Sequence, residues 1–125
     1  MNGDRFLVLD TNILIYLSKG EIDFESLVSV YDKFFISVIS YMEVMGFKFE
    51  TEDEKNTIEK LLLSFEIIQT DMEIAKLVIN YRLENKIKIP DAIILATAKK
   101  LKADLVTRNT DDFINVDKSV TLSNI

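Results

Sequence analysis

The hydrophobic positions of the chain alternate between short unbroken runs and longer runs with helical spacing. Phe6–Leu9 is apolar without any alternation, which is typical of a parallel strand that is covered on both faces. Similar short runs at residues 34–36, 67–68 and 105–107 predict three further strands, and residues 119–122 predict a last short one.

Helical segments with start signals separate these strands. Asp10, Thr11 and Asn12 stand where the first helix begins, and Ser37 is an N-cap candidate for a helix from Val38. Further signals are two capping boxes, Thr51 with Glu54 and Thr70 with Glu73, a left-handed terminator at Asn85, and Pro90 in the first turn of the last long helix. The order predicts a three-layer α/β fold with a central, mainly parallel sheet of four to five strands, formed as one domain over residues 1–125.

The amino-acid composition limits the kinds of catalytic and binding site that the protein can form. The 125 residues include no cysteine and no histidine, which excludes disulfides, Cys/His zinc sites and histidine-assisted nucleophiles. The net charge of −6 argues against a surface that binds nucleic acid everywhere. If a metal site takes up four of the 21 acidic residues, however, 17 remain against 15 basic ones, and nucleic acid stays possible. No signal region or membrane-length apolar run occurs, so we expect a cytoplasmic protein with no membrane partner.

Acidic side chains stand at positions that a parallel sheet would bring to one edge. Asp10 follows the first strand, Glu43 lies in the second turn of its helix, and Asp91 lies in the first turn of another. The loop 109–112 follows the fourth strand. Each acid also has a purely structural interpretation: Asp10 as a cap, Asp91 as a charge that favours a helix start, and Glu43 as a boundary residue.

Grouped carboxylates repel one another unless a cation is present. Oxygen ligands without histidine or cysteine favour Mg²⁺ or Mn²⁺, and one or two such ions activate water for displacement at phosphorus. The sequence therefore predicts a divalent-cation site at the carboxyl ends of the strands.

Four segments together resemble the PIN domain family, and within it the VapC-type toxin ribonucleases. They are residues 9–12 (LDTN), 36–43 (ISVISYME), 89–98 (IPDAIILATA) and 105–113 (LVTRNTDDF). The resemblance implies a PIN-like fold and an endonuclease of single-stranded RNA that uses Mg²⁺ or Mn²⁺. It also implies a homodimer that is held inactive by a cognate antitoxin.

The resemblance carries Asp10, Glu43 and Asp91 over as catalytic metal ligands. Asn109 stands where many relatives have Asp, so we expect Asp112 to be the fourth acid and Asp111 to point outward. Asp10 and Asp91 would hold the main ion, Glu43 would position a water on it, and Asp112 would help a second ion or the attacking water. Residues expected to orient these carboxylates are Thr11, Asn12, Ser40, Thr107 and Asn109. Thr107 fits a plain strand residue equally well.

Two basic residues are candidates for contact with RNA phosphates: Arg108, which adjoins the predicted site, and Lys99, for which a solvated helix end is the alternative. Two other functions stay open. A catalytically inactive interaction module would keep the fold without the activity. A phospho-accepting signalling domain also has an Asp after its first strand, but it would need paired acids before that strand and a Lys closing a later one.

Overall fold

The computed structural model describes residues 4–123, and a five-stranded sheet forms its centre. The strands are β1 (Phe6–Leu9), β2 (Lys33–Ser37), β3 (Glu66–Ile68), β4 (Asp104–Val106) and β5 (Leu122–Ser123). The helices are α1 (Thr11–Ser18), α2 (Phe24–Val28), α3 (Val38–Met45), α4 (Glu52–Leu62), α5 (Met72–Glu84), α6 (Ile89–Leu101) and α7 (Thr110–Phe113). None of these helices is both long enough and apolar enough to cross a membrane.

Strand β1 occupies the middle of the sheet, whose order is β3-β2-β1-β4-β5. All neighbouring strands are parallel; Val8 of β1 pairs with Phe35 of β2 on one side and with Leu105 of β4 on the other. The central position explains why β1 is apolar at every residue, since both of its faces are covered. The predicted α/β fold with a parallel central sheet is confirmed.

The two faces of the sheet carry separate cores. Leu7 and Leu9 pack with buried residues of α1 and α4, including Ile13 and Ile58. Val8 packs on the opposite face with buried residues of α5 and α6, such as Ile74. Because adjacent side chains of a strand point to opposite faces, four consecutive apolar residues serve both cores and give three layers.

Two predicted helix ends are wrong in detail. The N-cap of α5 is Asp71, whose Oδ1 accepts from the Ile74 N–H at 2.9 Å, and not Thr70. Asn85 is extended, because its side-chain amide donates to the Tyr81 carbonyl and so satisfies the helix end without a left-handed residue. The left-handed cap occurs instead at Lys102, after α6, with φ 56°.

Two further segments near the carboxyl end of the chain differ from their predictions. The last strand is Leu122–Ser123 and not 119–122, because Asp117 Oδ1 accepts from both the N–H and the hydroxyl of Ser119 and holds that residue in a turn. The acidic loop after β4 contains one helical turn, Thr110–Phe113, which is anchored by the buried ring of Phe113.

Candidate active site

Asp10 lies at the carboxyl end of the central strand and is only 4% exposed. As the N-cap of α1 it accepts the Thr11 N–H at Oδ1, at 2.8 Å. Its other oxygen, Oδ2, accepts the Thr107 hydroxyl at 2.7 Å. Asp10 is therefore both a helix cap and a carboxylate whose orientation is fixed from two sides.

Glu43 reaches the same region from α3 and is exposed. The Thr11 hydroxyl lies 2.8 Å from Glu43 Oε1 and 2.9 Å from the hydroxyl oxygen of buried Ser40. A carboxylate only accepts, so the single Thr11 proton goes to Glu43 and the Ser40 hydroxyl donates to Thr11. Ser40 and Glu43 are three residues apart and thus share one face of α3, which explains how both reach Thr11.

Asp91 lies in the first turn of α6 and is partly buried. Its carboxylate accepts no hydrogen bond from any other residue of the described range 4–123. Burial and the neighbouring charges of Asp10, Asp112 and Glu43 raise its pKa, and Lys88 opposes them. Asp91 thus belongs electrostatically to a group of four acids.

The pKa of Asp10 is raised as well. Burial is the main cause, the hydrogen bonds from Thr107 and Thr11 oppose it, and the charges of Glu43 and Asp112 add to it. The parallel sheet produces this grouping because β1 and β4 end at the same edge, and α3 and α6 begin there.

The fourth acid of the group is Asp112 in α7. Its charge is among the main causes of the raised pKa of both Asp10 and Asp91, and the charge of Asp111 is not. Neighbouring residues of one helical turn point in different directions, so a single step along α7 decides which carboxylate faces the group. Asn109, at the N-cap position, makes no side-chain cap bond, but its N–H donates to the Thr107 hydroxyl oxygen at 2.9 Å.

A family model described as the PIN domain matches residues 7–119. This span includes all four grouped acids, strands β2, β3 and β4, and all of β1 except Phe6. The chain belongs to the PIN domain family.

Solved structures similar to this PIN domain include chains of toxin–antitoxin complexes. A toxin–antitoxin complex from Klebsiella pneumoniae contains a chain with 38% identity and a TM-score of 0.77, matching 92% of this PIN domain and 95% of that chain. The structure of VapBC2 from Rickettsia felis bound to a promoter DNA fragment contains a chain with 23% identity and a TM-score of 0.82. The match covers 96% of this PIN domain and 98% of that chain. The structure of DNA-bound VapBC from Salmonella typhimurium contains a chain with 20% identity and a TM-score of 0.83, and the match again covers 96% of this PIN domain and 98% of that chain. The last two likenesses show the shared fold. No curated protein sequence gave a significant match.

The four acidic side chains of this PIN domain are of the chemical type that binds a divalent cation. All four side chains offer oxygen, and a cation among them would relieve the repulsion that contributes to the raised pKa values of Asp10 and Asp91. As placed, no three carboxylates within residues 4–123 are close enough together to hold an ion. Coordination of one ion by three of these carboxylates would therefore require rotation of side chains, and Glu43 and Asp112 are the exposed pair.

The remaining predicted residues lie at different distances from the acids. Asn12 is exposed in the first turn of α1, beside Asp10 in the sequence. Lys99 lies eight residues beyond Asp91 in α6, or about 12 Å along the axis. There it contacts the Ser119 hydroxyl and the carboxylate of Asp117, which places it at the opposite end of the helix from the acids.

Arg108 directly follows Thr107 and is exposed. Its guanidinium carbon lies 4.5 Å above the ring centroid of Tyr16 in α1. Tyr16 was not a predicted site residue, because the sequence pattern of an apolar helix predicts that an aromatic residue within it packs in the core. Only the structure brings the two side chains together.

Proposed function

We propose that this PIN domain is a Mg²⁺- or Mn²⁺-dependent endonuclease of single-stranded RNA and the toxin of a VapBC-type toxin–antitoxin pair. PIN domain proteins are nucleases, and the 38% identity to a chain of a toxin–antitoxin complex supports the toxin assignment. The observation that carries the proposal is the group formed by Asp10, Glu43, Asp91 and Asp112 at one edge of the sheet.

A bound divalent cation would supply stabilisation of the negative charge that develops on the phosphate oxygens, and would favour ionisation of water. Asp10 and Asp91 are the proposed main ligands, because they are the two members of the group that are not exposed. Asp10 in particular needs no rearrangement to present its carboxylate, since Thr11 and Thr107 already fix it.

Glu43 and Asp112 have the complementary role in the proposal. Both are exposed, so they can adjust to the substrate, and the Thr11 hydroxyl holds Glu43 Oε1 toward Asp10. Glu43 orients the attacking water by accepting its hydrogen bond. Asp112 would hold a second ion or accept a hydrogen bond from the same water. The water oxygen forms a new bond to phosphorus as the bond from phosphorus to one ribose oxygen breaks; the proton of the water passes to solvent, and solvent protonates the departing ribose oxygen.

A cognate antitoxin and a second copy of the chain are the proposed protein partners, and the cytoplasm is the proposed location. Two apolar surfaces within residues 4–123 support protein partners. Met72, Ile79 and Leu83 lie on one exposed face of α5, since their spacings of seven and four return to the same side of a helix. A groove of about 310 Å³ is lined by residues of α3, α4 and β3 and by the C-cap of α4: Tyr41, Met45, Glu59, Leu62, Leu63 and Ile67.

Cleavage by purified variants tests the proposed function. Asp10→Asn and Asp91→Asn should each lower Mn²⁺-dependent cleavage of a single-stranded RNA at least about a hundredfold, and chelator should abolish cleavage by the wild type. Asp53→Asn is the matched control, because Asp53 is also an acid in the first turn of a helix but is exposed on α4. Full activity of both site variants would refute the assignment.

A catalytically inactive interaction module is the second candidate. One observation favours it: no three carboxylates of the described range 4–123 are placed to hold an ion. Calorimetric titration separates the two candidates. Binding of Mn²⁺ that Asp91→Asn weakens supports the nuclease, whereas a wild type that neither binds Mn²⁺ nor cleaves RNA supports the module.

A further inference from the structure

Phe47, two residues after the end of α3, presents an aromatic ring to solvent and is 44% exposed. The ring of Phe49 meets it in an edge-to-face contact, with the centroids 5.3 Å apart and an interplanar angle of 67°. Phe49 is itself partly buried and packs against the core that α1 and α4 share. The exposed ring of Phe47 is therefore supported by a side chain that belongs to the core.

A lysine lies over the ring of Phe47. Lys19, the C-cap of α1, is exposed, and its ammonium nitrogen is 5.9 Å from the ring centroid. That separation leaves no room for another side chain between the ammonium and the ring. The flexible four-carbon stem of a lysine lets the ammonium move aside for a ligand. One face of the Phe47 ring is thus accessible to a planar group, with a positive charge beside it.

The ring lies one turn of chain beyond the acidic group. Phe47 is four residues after Glu43, and its N–H donates to the Val44 carbonyl at 3.1 Å, so the chain continues to turn after α3 ends. Residues four apart in such a turn lie on the same side, separated by a pitch of about 5.4 Å along the axis. A linear substrate that passes Glu43 and follows α3 therefore meets the ring next.

The ring is also part of a cleft of about 420 Å³ between the end of α3 and the start of α4. Met45, Phe47 and Phe49 contribute apolar atoms to it. Its charged lining is balanced, with two lysines and two glutamates: Lys48, Lys55, Glu50 and Glu52. Lys19, over the ring, adds one further positive charge. An exposed aromatic face among cations is the arrangement that binds a base on an anionic backbone.

We propose that Phe47 stacks on a base of the single-stranded RNA that passes Glu43, and that this base takes the place of the Lys19 ammonium over the ring. The proposal rests on the proposed function, because it names how the substrate of that same site is held. Every base has an aromatic face, so the contact accepts any sequence. In a duplex the bases are already stacked on one another, so the contact selects single strands.

Comparison of two oligomers tests the stacking contact. One is a labelled single-stranded RNA, and the other is a ribose-phosphate chain of the same length without bases. Binding is measured by fluorescence anisotropy in Ca²⁺, which takes carboxylate oxygens but does not impose the octahedral geometry of Mg²⁺. Phe47→Ala should weaken binding of the RNA about tenfold, as expected for the loss of one stacked base, and should leave binding of the base-free chain unchanged. Phe47→Tyr, which keeps a ring, should bind both oligomers like the wild type.

Each variant is compared with itself on the two oligomers, so a change in folding cannot imitate the expected result. Tyr41→Ala is the matched control, because Tyr41 is another exposed aromatic residue of α3 but lines a different groove. It should bind the RNA like the wild type. Equal losses of Phe47→Ala on both oligomers, or no loss on the RNA, would overturn the proposal.

A tryptophan at position 47 reports the stacking directly. The chain contains no tryptophan, so Phe47→Trp introduces a single indole fluorophore. A base stacked on the indole should quench its fluorescence, whereas the base-free oligomer should not. Tight binding of the RNA without quenching would place the bases elsewhere and overturn the proposal.

Cleavage assays keep the stacking proposal and the nuclease proposal distinguishable. In an active enzyme Phe47→Ala should raise KM more than it lowers kcat, and a loss confined to kcat would contradict a binding role. An inactive wild type that still binds RNA through its bases and Phe47 would support the stacking while the nuclease proposal fails. Cleavage by a protein whose RNA affinity is independent of Phe47 would leave the nuclease, reject the stacking and assign the cleft to a protein partner.

Discussion

The Thr107 hydroxyl donates a 2.7 Å hydrogen bond to Oδ2 of Asp10, a residue 97 positions earlier in the chain. This bond joins the end of β4 to the end of β1 and is buried on both sides. It also opposes the effect of burial on the Asp10 carboxylate, because a donor stabilises the ionised form. Thr107 therefore contributes to the fold and to the charge state of the site.

Replacing Thr107 by Val should lower the free energy of unfolding by about 1.5–3 kcal/mol at pH 7, the range for a lost hydrogen bond to a charged group. The shape of the side chain is kept, but Asp10 and the Asn109 N–H lose a partner. The pKa of Asp10 should rise further, which carboxyl NMR titration can follow. Thr107→Ser keeps the hydroxyl and is the control. Equal urea midpoints for Val and Ser would show that the bond does not stabilise the fold.

Asp91→Asn should flatten the dependence of stability on pH when metal is removed by chelator. The raised pKa of Asp91 means that the native state binds more protons than the unfolded chain above pH 3.8, so stability falls as pH rises through this range. Asn cannot titrate, and the Asp91 part of this slope is lost. The stabilisation gained from added Mn²⁺ should also shrink. Thermal unfolding between pH 4 and pH 7 measures both effects.

Asp10→Asn is not an equivalent variant in that experiment. Asp10 accepts two hydrogen bonds with its two oxygens, and an amide has only one acceptor oxygen. The substitution would mix relief of repulsion with loss of a cap, which is worth about 1 kcal/mol. Unchanged pH dependence in Asp91→Asn would mean that the raised pKa is not due to the native structure.

Asp112→Asn should lower the pKa of both Asp10 and Asp91, because the charge of Asp112 raises each of them in the wild type. Asp111→Asn is a control one residue away with the same change in net charge. In cleavage assays only Asp112→Asn should reduce activity. If the neighbouring variant has the larger effect on either the titrations or the cleavage, Asp111 is the fourth acid.

Tyr81→Phe should lower the free energy of unfolding by about 1.5 kcal/mol at pH 7, since the hydroxyl donates to the carboxylate of Asp117 at 2.5 Å. Burial acts to raise the pKa of Asp117, but hydrogen bonds from Ser119 and Tyr81 outweigh it and lower the pKa. A lowered pKa stabilises the native state above pH 3.8 and loses that effect as pH falls through the native value. The difference between wild type and variant should therefore shrink in acid. A difference that is constant from pH 7 to pH 2 would exclude the charged acceptor.

Local sequence patterns predicted the strands that are covered on both faces, because a strand that is buried on both sides is an unbroken apolar run. Phe6–Leu9 is an example, with bounds that agree with β1. The last strand could not be placed in this way. Its position depends on the Asp117–Ser119 turn, in which an ordinary acidic residue and serine adopt a specific hydrogen-bonded arrangement.

The acidic group was partly predictable for a similar reason. Asp10 and Asp91 follow directly from where strands end and helices begin, which local patterns report. The choice between Asp111 and Asp112 depends on the direction of one turn of α7, and the pair of Arg108 and Tyr16 depends on packing between segments far apart in the chain. Local sequence patterns do not predict the direction of that turn or the contact between these two residues.

The central position of β1 has a consequence for the order of events during synthesis. The ribosome produces β1 first, yet its neighbour β4 begins only at Asp104. Until then one long edge of the central strand has no partner, and Asp10 has no Thr107 to hold it. Pairings between distant segments also form slowly, because loop closure precedes any gain from contact. A nascent chain accordingly has no assembled acidic group until Asp91, Thr107 and Asp112 have all been synthesised.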